Sequence, residues 1–152
     1  MRIISSIEEA LDAVGQDFGA SGWVTVDQDR IDAFADATGD HQWIHVDVER
    51  ARTESPYGST IAHGFLTLSL IPALSKANYR VDNAKMGINY GLNKVRFLAP
   101  VPAGSRVRVR SELIDAAKVD DTTVDLTVRH TVELDGSVKP AAVAELIARM
   151  VF

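Results

Sequence analysis

The period of the hydrophobic pattern changes near Asn83: helical spacing comes before it, alternation after it. Ser6 opens a short helix, with Glu9 three residues on in a capping-box pattern and Gly15 as a stop. Gly22-Trp23-Val24-Thr25-Val26 is rich in strand formers. Asp27 caps a second helix whose apolar positions Ile31, Phe34 and Ala35 follow the i, i+3, i+4 rule, and Gly39 ends it. The stretch from there through Ile44 is too short and polar to predict a regular element. Asp47 caps one more short helix through Ala51, and Ser55-Pro56-Tyr57-Gly58-Ser59 reads as a loop. The most apolar helix runs from about His63 or Gly64 to about Lys76 and carries Phe65, Leu66, Leu68, Leu70, Ile71, Ala73 and Leu74. Apolar residues nearly all round it predict burial. Pro72 removes one backbone hydrogen bond inside it, at about 3 kcal/mol in a regular helix, and predicts a kink or irregular turn near Leu68.

In the second half Val107, Val109 and Leu113 alternate with Arg106, Arg108, Arg110 and Glu112. Val124, Leu126, Val128, His130 and Val132 alternate with Asp125, Thr127, Arg129, Thr131 and Glu133. Both read as half-exposed antiparallel strands. Asp135-Gly136 marks a hairpin turn, and Ala141 to Phe152, apolar on both faces, reads as a central strand. One buried helix and a long antiparallel sheet that wraps it make an α+β layer architecture. No repeat or linker divides residues 1–152, so a single domain is expected.

Composition narrows the function classes. The absence of cysteine excludes disulfides, thiolate metal sites and a cysteine nucleophile. A net charge of −5 without a basic block argues against a nucleic-acid partner, although local Lys and Arg can still meet the phosphates of a polyanionic ligand such as coenzyme A. Met1 to Ser6 lacks the apolar run of a signal peptide, and no stretch approaches the roughly 18 apolar residues of a membrane span, so a cytoplasmic protein is expected.

Three segments carry candidate chemistry. In Gly39-Asp40-His41-Gln42-Trp43-Ile44-His45, a carboxylate and an imidazole stand five residues apart beyond a helix end. On a continuous helix they would diverge by about 140°, whereas a chain reversal lets them share one water as an acid–base pair. An ordinary reading stands beside this: Asp after Gly is a common turn residue, and a lone His beside Ile is often a satisfied core histidine. In Thr60-Ile61-Ala62-His63-Gly64-Phe65, free N–H groups at a helix start suit a developing oxyanion, or Gly64 merely admits the chain to the helix. Asn93-Lys94-Val95-Arg96-Phe97 followed by Pro100-Val101-Pro102-Ala103-Gly104 is a strand and a proline-rich turn, with Lys94 and Arg96 as phosphate contacts or solvated strand residues.

Together these segments resemble the MaoC-like family of (R)-specific enoyl-CoA hydratases and 3-hydroxyacyl-thioester dehydratases. The signature runs from Phe34 to His45, with Ala51 at its final small position; Gln42-Trp43 stands where the family usually has Asn-Pro, a variant that resembles the nodulation-protein-N-like branch. The resemblance implies a hot-dog fold and a homodimer. It also implies catalysis by Asp40 and His45, polarisation of a thioester carbonyl by the Gly64 N–H, and a substrate site lined by Thr60, Ile61, Ala62, His63, Phe65, Asn93, Lys94, Arg96 and Phe97. It implies no metal and no cofactor, with coenzyme A or an acyl carrier as part of the substrate. Two rivals share the fold. A thioesterase usually relies on a carboxylate on or near the long helix, where residues 64–76 have none. A non-catalytic acyl-thioester binder has no need of an acid–base pair.

Overall fold

Capping signals set the helices of the first half where they were expected. The computed structural model describes all 152 residues. In chain order the elements are β1 (Arg2–Ile4), α1 (Ile7–Asp12), β2 (Asp17–Ala20), β3 (Val24–Val26), α2 (Gln28–Thr38), α3 (Trp43–Val46) and α4 (Val48–Glu54). There follow α5 (Gly64–Ser69), α6 (Ile71–Ser75), β4 (Tyr79–Val81), β5 (Met86–Phe97), β6 (Ser105–Lys118), β7 (Thr123–Leu134) and β8 (Ala142–Val151). Ser6, Asp27 and Asp47 each accept a backbone N–H at the start of α1, α2 and α4. Gly39 closes α2 with φ 79°, a left-handed cap that favours glycine.

The sheet has the order β2-β6-β7-β8-β5, with β3 pairing on β6 beside β2, and all these pairings are antiparallel. Val107, Val109 and Leu113 of β6 and Val124, Leu126, Val128, His130 and Val132 of β7 face inward, as alternation predicts. Arg108–Glu133, Arg129–Glu145 and Arg149–Asp125 pair across neighbouring strands on the outer face. Two apolar clusters fill the inside. One joins Ile31, Leu66 and Ile71 to Val107, Val109, Val132 and Ala144; the other joins α1 to Leu113, Val124, Leu126 and Val128. No helix is long and apolar enough to cross a membrane.

Three expectations are corrected, and one pairing was not foreseen. The polar stretch before Asp47 does form an element, the single-turn α3, because His45 N–H bonds to Gln42 O and Asp47 N–H to Trp43 O. The break in the long helix falls at Leu70, two residues beyond Leu68: Pro72 enters as an early residue of α6, where its missing N–H is tolerated. The helix is not buried all round within one chain. Leu66, Thr67 and Ile71 are covered, while Phe65 is 70% exposed. Finally, β1 and β4 form a two-stranded parallel pair that no periodicity marked, being three residues each.

Candidate active site

Three segments meet at the start of α5. Asp40 follows the Gly39 cap of α2, His45 rides on α3, and His63 and Gly64 open α5. A strap from Thr60 to His63 binds them. Ile61 N–H bonds to Ile44 O, and Ala62 N–H to Val101 O. The His45 ring Nδ1 lies 2.7 Å from Ile61 O. A carbonyl only accepts, so Nδ1 carries the proton and Nε2 keeps a free lone pair. That is the tautomer a general base needs.

The two candidate side chains do converge. A carboxylate oxygen of Asp40 and ring nitrogens of His45 and His63 lie within 4.8 Å of one another. Asp40 is exposed and His45 buried, so the carboxylate faces water and the imidazole faces protein. Burial holds the His45 pKa below the ordinary histidine value; the Ile61 carbonyl opposes this, His63 adds to it, and Asp40 opposes it. His45 is therefore neutral, and able to accept a proton, at neutral pH.

His63 is stacked on His45, with ring centroids 3.9 Å apart and planes 25° apart. Its Nε2 lies 2.9 Å from the Asp40 carbonyl oxygen, so this nitrogen donates. Asp40, His45 and His63 are a donor set that a divalent cation could use. The stack opposes it: free lone pairs in nearly parallel planes do not converge on one ion unless a ring turns and breaks its carbonyl bond.

Gly64 is the first residue of α5, so its N–H has no acceptor within the helix. A Cβ there would lie 3.2 Å from three ring carbons of Phe97, which explains the glycine. Tyr57, Ile61, Ala62, Gly64, Thr67 and Phe97 help line a cleft of about 330 Å³.

The other expected lining residues divide. Phe65 lies beside Phe97, with ring centroids 6.2 Å apart. Thr60 is buried and donates its hydroxyl to Gln28 Oε1, which makes it part of the scaffold. Asn93 is exposed at an irregularity of β5. Lys94 and Arg96 line a separate groove with Arg129 and Glu145, away from the Gly64 cleft within one chain. Sequence reasoning missed Gln28, whose amide nitrogen bonds both Asp32 and the His45 carbonyl. It also missed the packing of Phe34 on His63, at 4.9 Å between centroids. Gln28 carried no signal, since its partners in the site, His45 and Thr60, are 17 and 32 residues away; Phe34 stood within the family signature.

Comparison with known proteins identifies the family. Residues 9–134 match the family described as "MaoC like domain". The chain is 55% identical to 3-hydroxyacyl-thioester dehydratase Z of Mycobacterium tuberculosis, over 99% of each chain. It is 47% identical to nodulation protein N of Rhizobium leguminosarum bv. viciae, over 97% of this chain and 92% of that one. Among solved structures, a "monoamine oxidase regulatory protein" from Archaeoglobus superposes with a TM-score of 0.79 at 25% identity, covering 99% of this chain and 95% of that one. A wrapped helix opened by glycine and these relatives lead to one assignment: the chain belongs to the MaoC-like dehydratases, as a hot-dog hydro-lyase of the branch that includes nodulation protein N.

Proposed function

We propose that the protein hydrates trans-2-enoyl-CoA to (R)-3-hydroxyacyl-CoA and catalyses the reverse dehydration, in fatty-acid metabolism. The observation that carries this reading is the pairing of a tautomer-locked, neutral His45 with the Asp40 carboxylate, within 4.8 Å, beside the open N–H of Gly64.

In the hydration direction, His45 Nε2 takes a proton from water as the water oxygen bonds to C3. The C2–C3 π pair moves toward C2 and the thioester oxygen, where the Gly64 N–H meets the developing negative charge. The proton taken by His45 is passed through Asp40 to C2, which restores the thioester carbonyl and both side chains. Dehydration runs these steps backward. The thioester is the electron sink, so the route calls for no metal or redox cofactor, and coenzyme A enters as part of the substrate.

The active unit in this reading is a homodimer. β5 is the terminal strand of the sheet order, twelve residues long, with one edge unpaired. Such an edge is a template for a second strand. Leu92, Phe97 and Phe65 stand exposed along it and on the neighbouring α5. A second copy pairing β5 to β5 would cover them and bring its own Lys94 and Arg96 toward the phosphates of the bound coenzyme.

A panel of enoyl-CoAs from short to long chain, assayed in both directions with chiral analysis of the product, tests the proposal. Loss of the enoyl absorbance with formation of the (R)-alcohol is expected. Release of free coenzyme A from saturated acyl-CoA, or tight binding with no absorbance change, would replace it with a thioesterase or a binder.

A further inference from the structure

We infer that His63 is a positioning residue that holds Asp40 and His45 in register with Gly64, rather than a group that touches substrate. This rests on the acid–base reading above. His63 is 2% exposed, which leaves it almost no surface to offer a ligand. Its side chain instead joins the three segments of the site. Nε2 donates to the Asp40 carbonyl at 2.9 Å and fixes the loop after α2. One ring face packs on His45. Phe34 leans against the same imidazole at 55°, so the ring is held by α2 as well as α3. Its own main chain leads directly into Gly64, and its carbonyl accepts the Thr67 N–H one turn on.

This linkage also sets the tautomer. Nε2 donates to the Asp40 carbonyl, so Nδ1 is the nitrogen left without a partner, and it is buried. Parallel contact at 3.9 Å also stops the His45 ring from rotating away from its Ile61 carbonyl.

Two substitutions separate the parts of this role. H63Q keeps a donor for the Asp40 carbonyl and loses the stacked ring; H63F keeps a ring and loses the donor. Both are expected to lower kcat on crotonyl-CoA by on the order of 100-fold, with KM changed less than threefold, because displacement of reacting groups by about 1 Å has effects of that size. Raised KM with kcat preserved would mark His63 as a substrate contact and overturn the inference, as would an unchanged kcat in both variants.

Histidine 15N NMR of the unaltered protein tests the same geometry if the variants fail to fold. It should show the Nε2–H tautomer at His63 and the Nδ1–H tautomer at His45. The opposite tautomer at His63 would overturn the inference. If D40A and H45A also retained activity, the hydration reading would have failed, while the tautomer measurement would still decide whether His63 orders the loop.

Discussion

At the scale of single residues, the two groups proposed to move protons sit in different surroundings. Asp40 is left in water, and His45 is buried with its Nδ1 tied to Ile61. Asp40 raises the His45 pKa and burial lowers it more, so the base is neutral through the physiological range. Activity that depends on neutral His45 therefore persists as pH falls to the ordinary histidine value, and declines only below it. Asp40→Asn removes the one carboxylate that opposes this lowering. Residual activity of that variant should show its acidic limb at lower pH than the parent, read from kcat/KM against pH. An acidic limb that does not move would mean that Asp40 and His45 are not electrostatically coupled. Both residues were legible in the sequence. Their convergence was not, because five positions of separation fit a turn and a helix equally, and only the α3 turn with its Ile61 anchor decides between them.

At the scale of elements, the capping residues place the chemistry. Asp27 starts α2 and Gly39 ends it, so Asp40 emerges at a fixed point. Gly39→Ala forces a Cβ into a left-handed backbone with open space around it, so the cost is conformational rather than steric. A loss of about 1 kcal/mol is expected, read as a lower thermal midpoint, together with a lower kcat because the Asp40 loop leaves α2 differently. Unchanged stability and rate would show that the cap does not set the loop. These caps, the alternation of β6 and β7, and the hairpin at Gly136 were readable because each rests on residues within a few positions of one another. What escaped depends on distant partners. α3 forms in a polar stretch because Gln28 and the Thr60–His63 strap hold it. The Pro72 break lies at Leu70 because the proline is accommodated as the opening of α6.

Across the whole molecule, a buried polar chain runs between the two apolar clusters. Asn78 Nδ2 donates to Val109 O and to Ser111 Oγ, and Ser111 Oγ meets His130 Nδ1 at 3.0 Å. All three residues are at most 1% exposed. Burial pushes the His130 pKa down to about 4, so folding holds this ring neutral where the unfolded chain would protonate it. The unfolded state then binds more protons between the unfolded histidine value, about 6.5, and about 4. Stability should accordingly rise with pH across that window and be lost as pH falls through it, by on the order of 3 kcal/mol in full. Denaturant unfolding at several pH values should show this slope in the parent, and a flatter one in His130→Leu. An identical slope in both would assign acid sensitivity to other groups. The sequence set His130 among the inward residues of β7, yet gave no sign of Ser111 and Asn78, which reach it from another strand and from the end of the helical segment.

The central claim is that Asp40 and His45 together move the protons of water across an enoyl thioester. The most direct test is the initial rate of crotonyl-CoA hydration, followed at the enoyl absorbance, for the unaltered protein, Asp40→Ala and His45→Ala, with each fold checked by circular dichroism. The unaltered protein should turn over, and each variant should lose at least about 100-fold in kcat, the lower range for a positioned acid or base. A folded variant of either residue that hydrates crotonyl-CoA at close to the unaltered rate would contradict the account.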